Sequence, residues 1–225
     1  MAGGAARRLV IFDCDGVLVD SETISVGVFL ELLREAGCDM SESEGYRTLL
    51  GRSVASISET LAREHGLRLS SEHLAEARAR IFARFRTELA PIPGVGAAIR
   101  ALPDPVCVAS SSQPDRIALA LGLTGLAPLF GTRLFSASMV TRGKPAPDLF
   151  LFAAETMGAD PAHCVVIEDS PAGITAAKAA GMRVIGFVGG GHAGPAGLRE
   201  RVAQCAPDAI IGRMDELAGA LAALA

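Results

Sequence analysis

The run Leu9-Val10-Ile11-Phe12-Asp13-Cys14-Asp15-Gly16-Val17-Leu18 constrains this chain more than any other stretch. A β-prone apolar segment ends abruptly in two carboxylates two positions apart, and a glycine follows at once. Alternate residues of a strand project to the same side, so Asp13 and Asp15 share a face and Cys14 points to the other. Two anions at the end of a buried strand repel and lose hydration, which calls for positive charge among them. Taken alone, the same letters also describe a strand running into an Asp/Gly turn.

Three further motifs decide between these readings. Val106-Cys107-Val108-Ala109-Ser110 is a second apolar run, ending in a hydroxyl. Gly143-Lys144-Pro145-Ala146-Pro147-Asp148 holds a lysine in a proline-flanked turn. Cys164-Val165-Val166-Ile167-Glu168-Asp169-Ser170 is a third apolar run, ending in a carboxylate pair. Three of the four motifs thus follow predicted strands, where an open α/β sheet has its ligand crevice. Asp, Asp, Ser, Lys, Glu and Asp together are what a magnesium-assisted phosphoryl transfer requires.

Strand and helix signals alternate through the C-terminal half. Strands are expected at Val106–Ser110, Arg133–Ser136, Val165–Glu168, Arg183–Phe187 and Ala209–Ile211. Helices are expected near Val95–Leu102, Pro114–Leu121, Pro147–Met157, Pro171–Ala180, Ala196–Gln204 and Met214–Leu224. Such alternation implies a doubly wound parallel sheet. Between Asp20 and Pro91 only helical patterns occur, the first capped by Asp20 or Ser21 and others over Tyr46–Leu50, Val54–His65 and Ser71–Leu89. The expected organisation is an α/β core from residues 1–19 plus 90–225 and an all-helical cap domain from 20–89. Gly189-Gly190-Gly191-His192-Ala193-Gly194-Pro195 reads as a connecting loop.

Bulk properties exclude several classes. Lys and Arg number 21 against 25 Asp and Glu, a net charge of −4 without the basic face that nucleic acid needs. No apolar stretch approaches the ~20 residues of a membrane span, and residues 1–8 lead straight into the first strand without a leader's apolar region. Five cysteines without C-x-x-C spacing read as small buried hydrophobes in a reducing cytoplasm. No exposed apolar seam points to a partner, so a monomer is expected.

D-x-D-G-V-L, a strand-terminal serine, G-K-P-x-P-D and E-D-S, in this order, resemble the haloacid dehalogenase superfamily of phosphatases. The likeness is greatest to the subgroup of β-phosphoglucomutase, phosphoglycolate phosphatase and sugar-phosphate phosphatases. It spans nearly the whole chain and implies a Rossmann-like core, a helical cap and a small phosphorylated metabolite as substrate. By this resemblance Asp13 is the nucleophile that forms an aspartyl-phosphate, and Asp15 is the acid that protonates the leaving oxygen and then deprotonates water. Mg2+ would lie on the Asp13 side chain, the Asp15 backbone carbonyl and the Asp169 side chain, with Glu168 holding a metal-bound water. Ser110 would donate to the phosphoryl group along with backbone amides near Asp15, Gly16 and Ser111, with Ser111 or Ser112 as alternatives to Ser110. Lys144 would neutralise the remaining charge. Arg52, in a break between two cap helices, is the expected substrate-sensing residue.

Ser25 stands where β-phosphoglucomutases carry a cap histidine, which favours hydrolysis over the hexose-phosphate mutase alternative. A dehalogenase would lack Asp15 and the Glu168-Asp169 pair. A non-enzymatic receiver-like module would carry its phosphoacceptor on a middle strand with no helical insertion after the first.

Overall fold

The computed structural model describes residues 8–50 and 54–224, the side chains of 54–56 excepted; residues 1–7, with which the chain opens, and Arg52 lie outside that set. Strand β1 (Leu9–Phe12) leads into four consecutive helices, α1 (Glu22–Glu35), α2 (Glu42–Leu49), α3 (Val54–Glu64) and α4 (Ser71–Glu88). Alternation then sets in: α5 (Val95–Ala101), β2 (Val106–Ser110), α6 (Pro114–Leu123), α7 (Ala127–Phe130), β3 (Leu134–Ser136) and α8 (Asp148–Thr156). It continues with β4 (Cys164–Glu168), α9 (Pro171–Ala179), β5 (Arg183–Phe187), α10 (Leu198–Gln204), β6 (Ala209–Ile211) and α11 (Leu217–Ala223). The strands form one parallel sheet in the order β3-β2-β1-β4-β5-β6, the doubly wound arrangement that the alternation implies.

Strand periodicity explains how both faces are covered. Val10 and Phe12 join Val106, Val108 and apolar residues of α5, α6, α7 and α11 on one face. Leu9 and Ile11 join Cys107, Ala109 and residues of α8, α9 and α10 on the other. Cys14 falls in the first of these cores, turned away from the side that Asp13 continues, as the alternation requires. Each fully buried Leu, Ile or Phe contributes about 1.5–3 kcal/mol, so the sheet centre around β1 is a rigid base for the residues that leave its C-terminal end.

The four-helix insertion leaves and re-enters the core at one point. Asp20 N–H donates to Ala90 O, Ile92 N–H donates to Leu18 O, and Val19 bridges Pro91. The insertion has an apolar centre of its own, including Val26, Leu33, Tyr46, Leu49 and Leu61. Ile24 and Val28 of α1 and Ile81 and Phe85 of α4 instead join the core beneath them. Among the described residues no helix is long and apolar enough to cross a membrane.

Most element boundaries agree with expectation within a few residues. Helix α2 starts at Glu42, four residues before Tyr46, because Ser41 accepts from Glu44 N–H and caps it. Ala196 and Gly197 stay outside α10, since Gly197 at its N-cap adopts the left-handed conformation. The expected C-terminal helix divides into a 3-10 turn (Met214–Glu216) and α11. Ser21 occupies the N-cap position of α1 but makes no capping bond. Its hydroxyl is used elsewhere.

Candidate active site

The C-terminal ends of β1, β2 and β4 converge on one ammonium group. Lys144 Nζ donates to Asp13 Oδ1 at 2.6 Å, Glu168 Oε1 at 2.7 Å and Ala109 O at 2.9 Å, and its side chain is only 3% exposed. Burial alone would push this ammonium down, but Asp13 and Glu168 hold it above the usual lysine range. Glu168 spends its other oxygen, Oε2, on the Ser170 N–H and hydroxyl at the start of α9. Gly173 makes that approach possible, because a Cβ there would lie 1.8 Å from Glu168 Oε1.

Asp13, Glu168 and Asp169 are all buried and offer oxygens within 4.8 Å of one another. Burial, reinforced by Glu168 and Asp169, holds the Asp13 carboxyl well above the usual carboxylate range despite Lys144. Lys144 serves Asp13 and Glu168, and Asp169 has the His192 ring beside it, so among the described residues three carboxylates meet a single fixed cation. All three groups are hard oxygen donors. The residues fit a divalent cation on both counts, charge and donor type.

Asp15 has a different environment. Its Oδ1 accepts from Ser21 Oγ at 2.6 Å and from Arg116 Nη2 at 2.8 Å and Nε at 3.2 Å, while Oδ2 accepts from Ser112 Oγ at 2.6 Å. Burial raises this carboxyl, but Arg116 and the two hydroxyls outweigh it and leave it below the usual range. Two carboxylates on one strand end are therefore driven in opposite directions.

A cavity of about 510 Å³ opens over these groups, lined from below by Asp13, Ser110, Ser111, Lys144 and Asp169 and from the insertion by Ser25, Phe29, Leu49 and Ile81. That is the size and place of a small-molecule site. Glu22, at the start of α1, also lines it, and burial lifts its carboxyl to about 7. Gly16 sits at φ +81°, where a Cβ would meet Asp169 Oδ2 at 2.0 Å, so backbone conformation and close approach both require glycine.

A protein-family model for a haloacid dehalogenase-like hydrolase matches residues 7–181. The chain belongs to that family. The 6-phosphogluconate phosphatase of Escherichia coli (strain K12) is 33% identical over 189 residues, covering 83% of this chain and 85% of the relative. A solved haloacid dehalogenase-like protein of unknown function from Agrobacterium tumefaciens str. C58 superposes with a TM-score of 0.87 at 37% identity, covering 97% of this chain and 99% of that one. A HAD family hydrolase from Deinococcus radiodurans R1, solved with bound phosphate and sodium, superposes at 0.80 with 34% identity, covering 97% and 96%. The chain is a phosphoric monoester hydrolase of this family.

Within this hydrolase, Asp13, Asp15, Ser110, Ser111, Lys144, Glu168 and Asp169 all line one cavity, with Gly16 against Asp169. The Asp15 carboxylate stands apart from the acidic cluster, turned toward Arg116. Strand β2 ends at Ser110, whose hydroxyl accepts from Ser112 N–H at 3.1 Å, while Ser112 reaches Asp15. Arg116 and Ser21 escaped the sequence reading because a helical arginine and an N-cap serine look like ordinary surface chemistry. His192 escaped it too. The loop at residues 189–195, expected merely to connect, buries this ring completely, with Nε2 3.0 Å from Asp169 Oδ2 but without hydrogen-bond alignment. Three consecutive glycines were the available signal: a Cβ at Gly190 would strike His192, and one at Gly191 would strike Asp20.

Proposed function

We propose that this hydrolase cleaves a small phosphorylated metabolite (a sugar, polyol or sugar-acid phosphate) in two steps through an aspartyl-phosphate on Asp13. The observation that carries the reading is the Lys144 ammonium bound between Asp13 and Glu168 on the floor of the cavity. Lys144 orients Asp13 for attack and neutralises phosphoryl charge, and Ser110 and the backbone amides near Gly16 and Ser111 bind the phosphoryl oxygens. Mg2+ would be held by the Asp13 side chain, the Asp15 backbone carbonyl and the Asp169 side chain, with Glu168 alongside. When bound it supplies charge neutralisation at the phosphoryl oxygens.

Asp15 protonates the leaving oxygen and, once ionised, takes the proton from the water that resolves the intermediate. Its contacts with Arg116, Ser21 and Ser112 favour the ionised form that the second step needs. Residues 20–89 act as a cap, closing about the paired backbone connections at 18–20 and 90–92. Ser25 donates to Ser21 O at 2.9 Å and accepts from Arg116 Nη2 at 3.1 Å, a fixed structural use that supports hydrolysis over mutase chemistry.

The test is release of inorganic phosphate from an aryl phosphate, with and without magnesium, by the wild type and Asp13→Asn. Magnesium-dependent release that the substitution abolishes is expected. Turnover of Asp13→Asn within tenfold of the wild type would overturn the assignment.

A further inference from the structure

On the insertion side of the cavity, two arginines are set on a pair of phenylalanines. Phe82 and Phe85 of α4 stack with ring centroids 6.4 Å apart. The Arg78 guanidinium lies 4.4 Å from the Phe82 centroid and that of Arg116 lies 4.8 Å from the Phe85 centroid. Both arginines line the same cavity as Asp13. Adjacent residues of α6 tie the two together, since Arg78 pairs with Asp115 and Arg116 with Asp15.

The donors of Arg116 are only partly used. Nε and Nη2 serve Asp15, and Nη2 also serves Ser25. Among the described residues Nη1 has no hydrogen-bond partner, although the side chain is only 18% exposed. A guanidinium seated over an aromatic ring, with the two N–H groups of Nη1 unspent at a cavity wall, can donate to an oxygen of a substrate oxyanion. Most of the remaining insertion-side lining is apolar (Val26, Phe29, Leu49, Ile57 and Ile81), which strengthens any charged contact made there.

We infer that Arg116, assisted by Arg78, receives a carboxylate on the substrate, so that this hydrolase prefers phosphorylated sugar acids to neutral sugar phosphates. A monoanionic carboxylate suits this wall better than a second phosphate, because Asp15, Asp115 and Glu22 already bring negative charge to it. The inference rests on the phosphatase reading above and adds the substrate class to it.

The test compares 6-phosphogluconate with glucitol 6-phosphate, which replaces the carboxylate by a hydroxymethyl group at unchanged chain length. An aryl phosphate serves as control. The wild type is expected to favour the acid in kcat/KM by roughly 20-fold or more, the scale of a charge-assisted contact. Arg116→Met, which keeps apolar contact with Phe85, should lower kcat/KM for the acid at least tenfold more than for the polyol, chiefly through KM. Arg78→Met should reduce the same ratio by a smaller factor. A wild type that hydrolyses the two substrates within threefold of each other overturns the inference without reference to any variant. An equal loss on both substrates in Arg116→Met also overturns it, since that marks a role through Asp15 alone. Failure to hydrolyse even the aryl phosphate with magnesium present would instead overturn the phosphatase reading itself.

Discussion

Replacing Lys144 by methionine isolates the electrostatic problem at the heart of this site. The substitution keeps an unbranched stem beside Phe150, whose ring centroid is 4.8 Å from Nζ, but removes the ammonium that Asp13 and Glu168 share. Both carboxylates are nearly inaccessible to solvent, at 7% and 1% exposure, so water cannot replace the lost partner. Removing one member of a buried ion pair costs about 3–5 kcal/mol. For a chain of this length, each kcal/mol moves the melting midpoint by roughly 2–4 °C, which gives a fall of about 6–20 °C.

The sign of the pH dependence follows from Asp13. Its folded-state pKa already lies above the unfolded value, and Lys144 is the partner that pulls it down, so the variant raises it further. A carboxyl raised on folding contributes stability that is fully present below its unfolded pKa of about 3.9 and is lost as pH rises through the folded value. The deficit of Lys144→Met should therefore be smaller near pH 5 than near pH 8. Thermal melts in a chelating buffer at both pH values measure it, and saturating magnesium should recover part of the loss by restoring positive charge. A midpoint at pH 8 within about 2 °C of the wild type, or a deficit equal at the two pH values, would refute this account of the cluster.

Other perturbations address the surrounding groups. Glu22→Gln removes a carboxyl raised from 4.5 to about 7; the wild type loses stability as pH rises through that window, so the variant should be more stable by about 1–3 kcal/mol at pH 8 and equal at pH 4.5 in chelating buffer. Gly16→Ala places a methyl 2.0 Å from Asp169 Oδ2 at a φ of +81°, and should cut turnover on an aryl phosphate by roughly 100-fold or more through displacement of that carboxylate. His192→Asn removes the ring packed against Asp169; calorimetric titration should show magnesium affinity weakened about tenfold or more, the usual consequence of losing a group that orients a metal ligand.

How much of this was legible in the sequence depends on the length scale of each signal. The strands β2, β4 and β5 could be read because each is a short apolar run closed by a polar residue or a turn. Period-two geometry correctly divides Leu9 and Ile11 from Val10, Phe12 and Cys14, but β1 ends at Phe12, and beyond it Asp15 turns toward Arg116 rather than staying with Asp13 in the acidic cluster. What stayed hidden was pairing across distance. Nothing in Gln113-Pro114-Asp115-Arg116 indicates that its arginine lies on Asp15, 101 residues earlier in the chain. His192 was likewise hidden, because a glycine-rich segment has no periodicity from which a side chain can be assigned to a face. Arg80 and Arg84 illustrate the opposite case: helical spacing of four already offers Glu76 to the one and Glu88 to the other, and they pair there, with Glu35 and Glu31 added from α1. Arg78, at the same helical spacing, is separated from them only because α6 packs beside it.

The two motif aspartates are set apart by these long-range partners more than by the motif. Asp13 shares a single ammonium with Glu168 and lies beside Asp169, so its ionised form is favoured only as further positive charge enters the cluster. Asp15 has a guanidinium and two hydroxyls to itself and is ionised without that help. Neighbouring carboxyls driven apart in this way are suited to different roles; on the proposed reading, added positive charge is what returns Asp13 to the ionised form a nucleophile needs, and the contacts of Asp15 suit its base step rather than its acid step. The same arrangement links catalysis to recognition. The guanidinium that sets the state of Asp15 is the one with donors left at the cavity wall, so on the proposed reading a substrate group that engages Arg116 reaches the acid–base residue through one side chain.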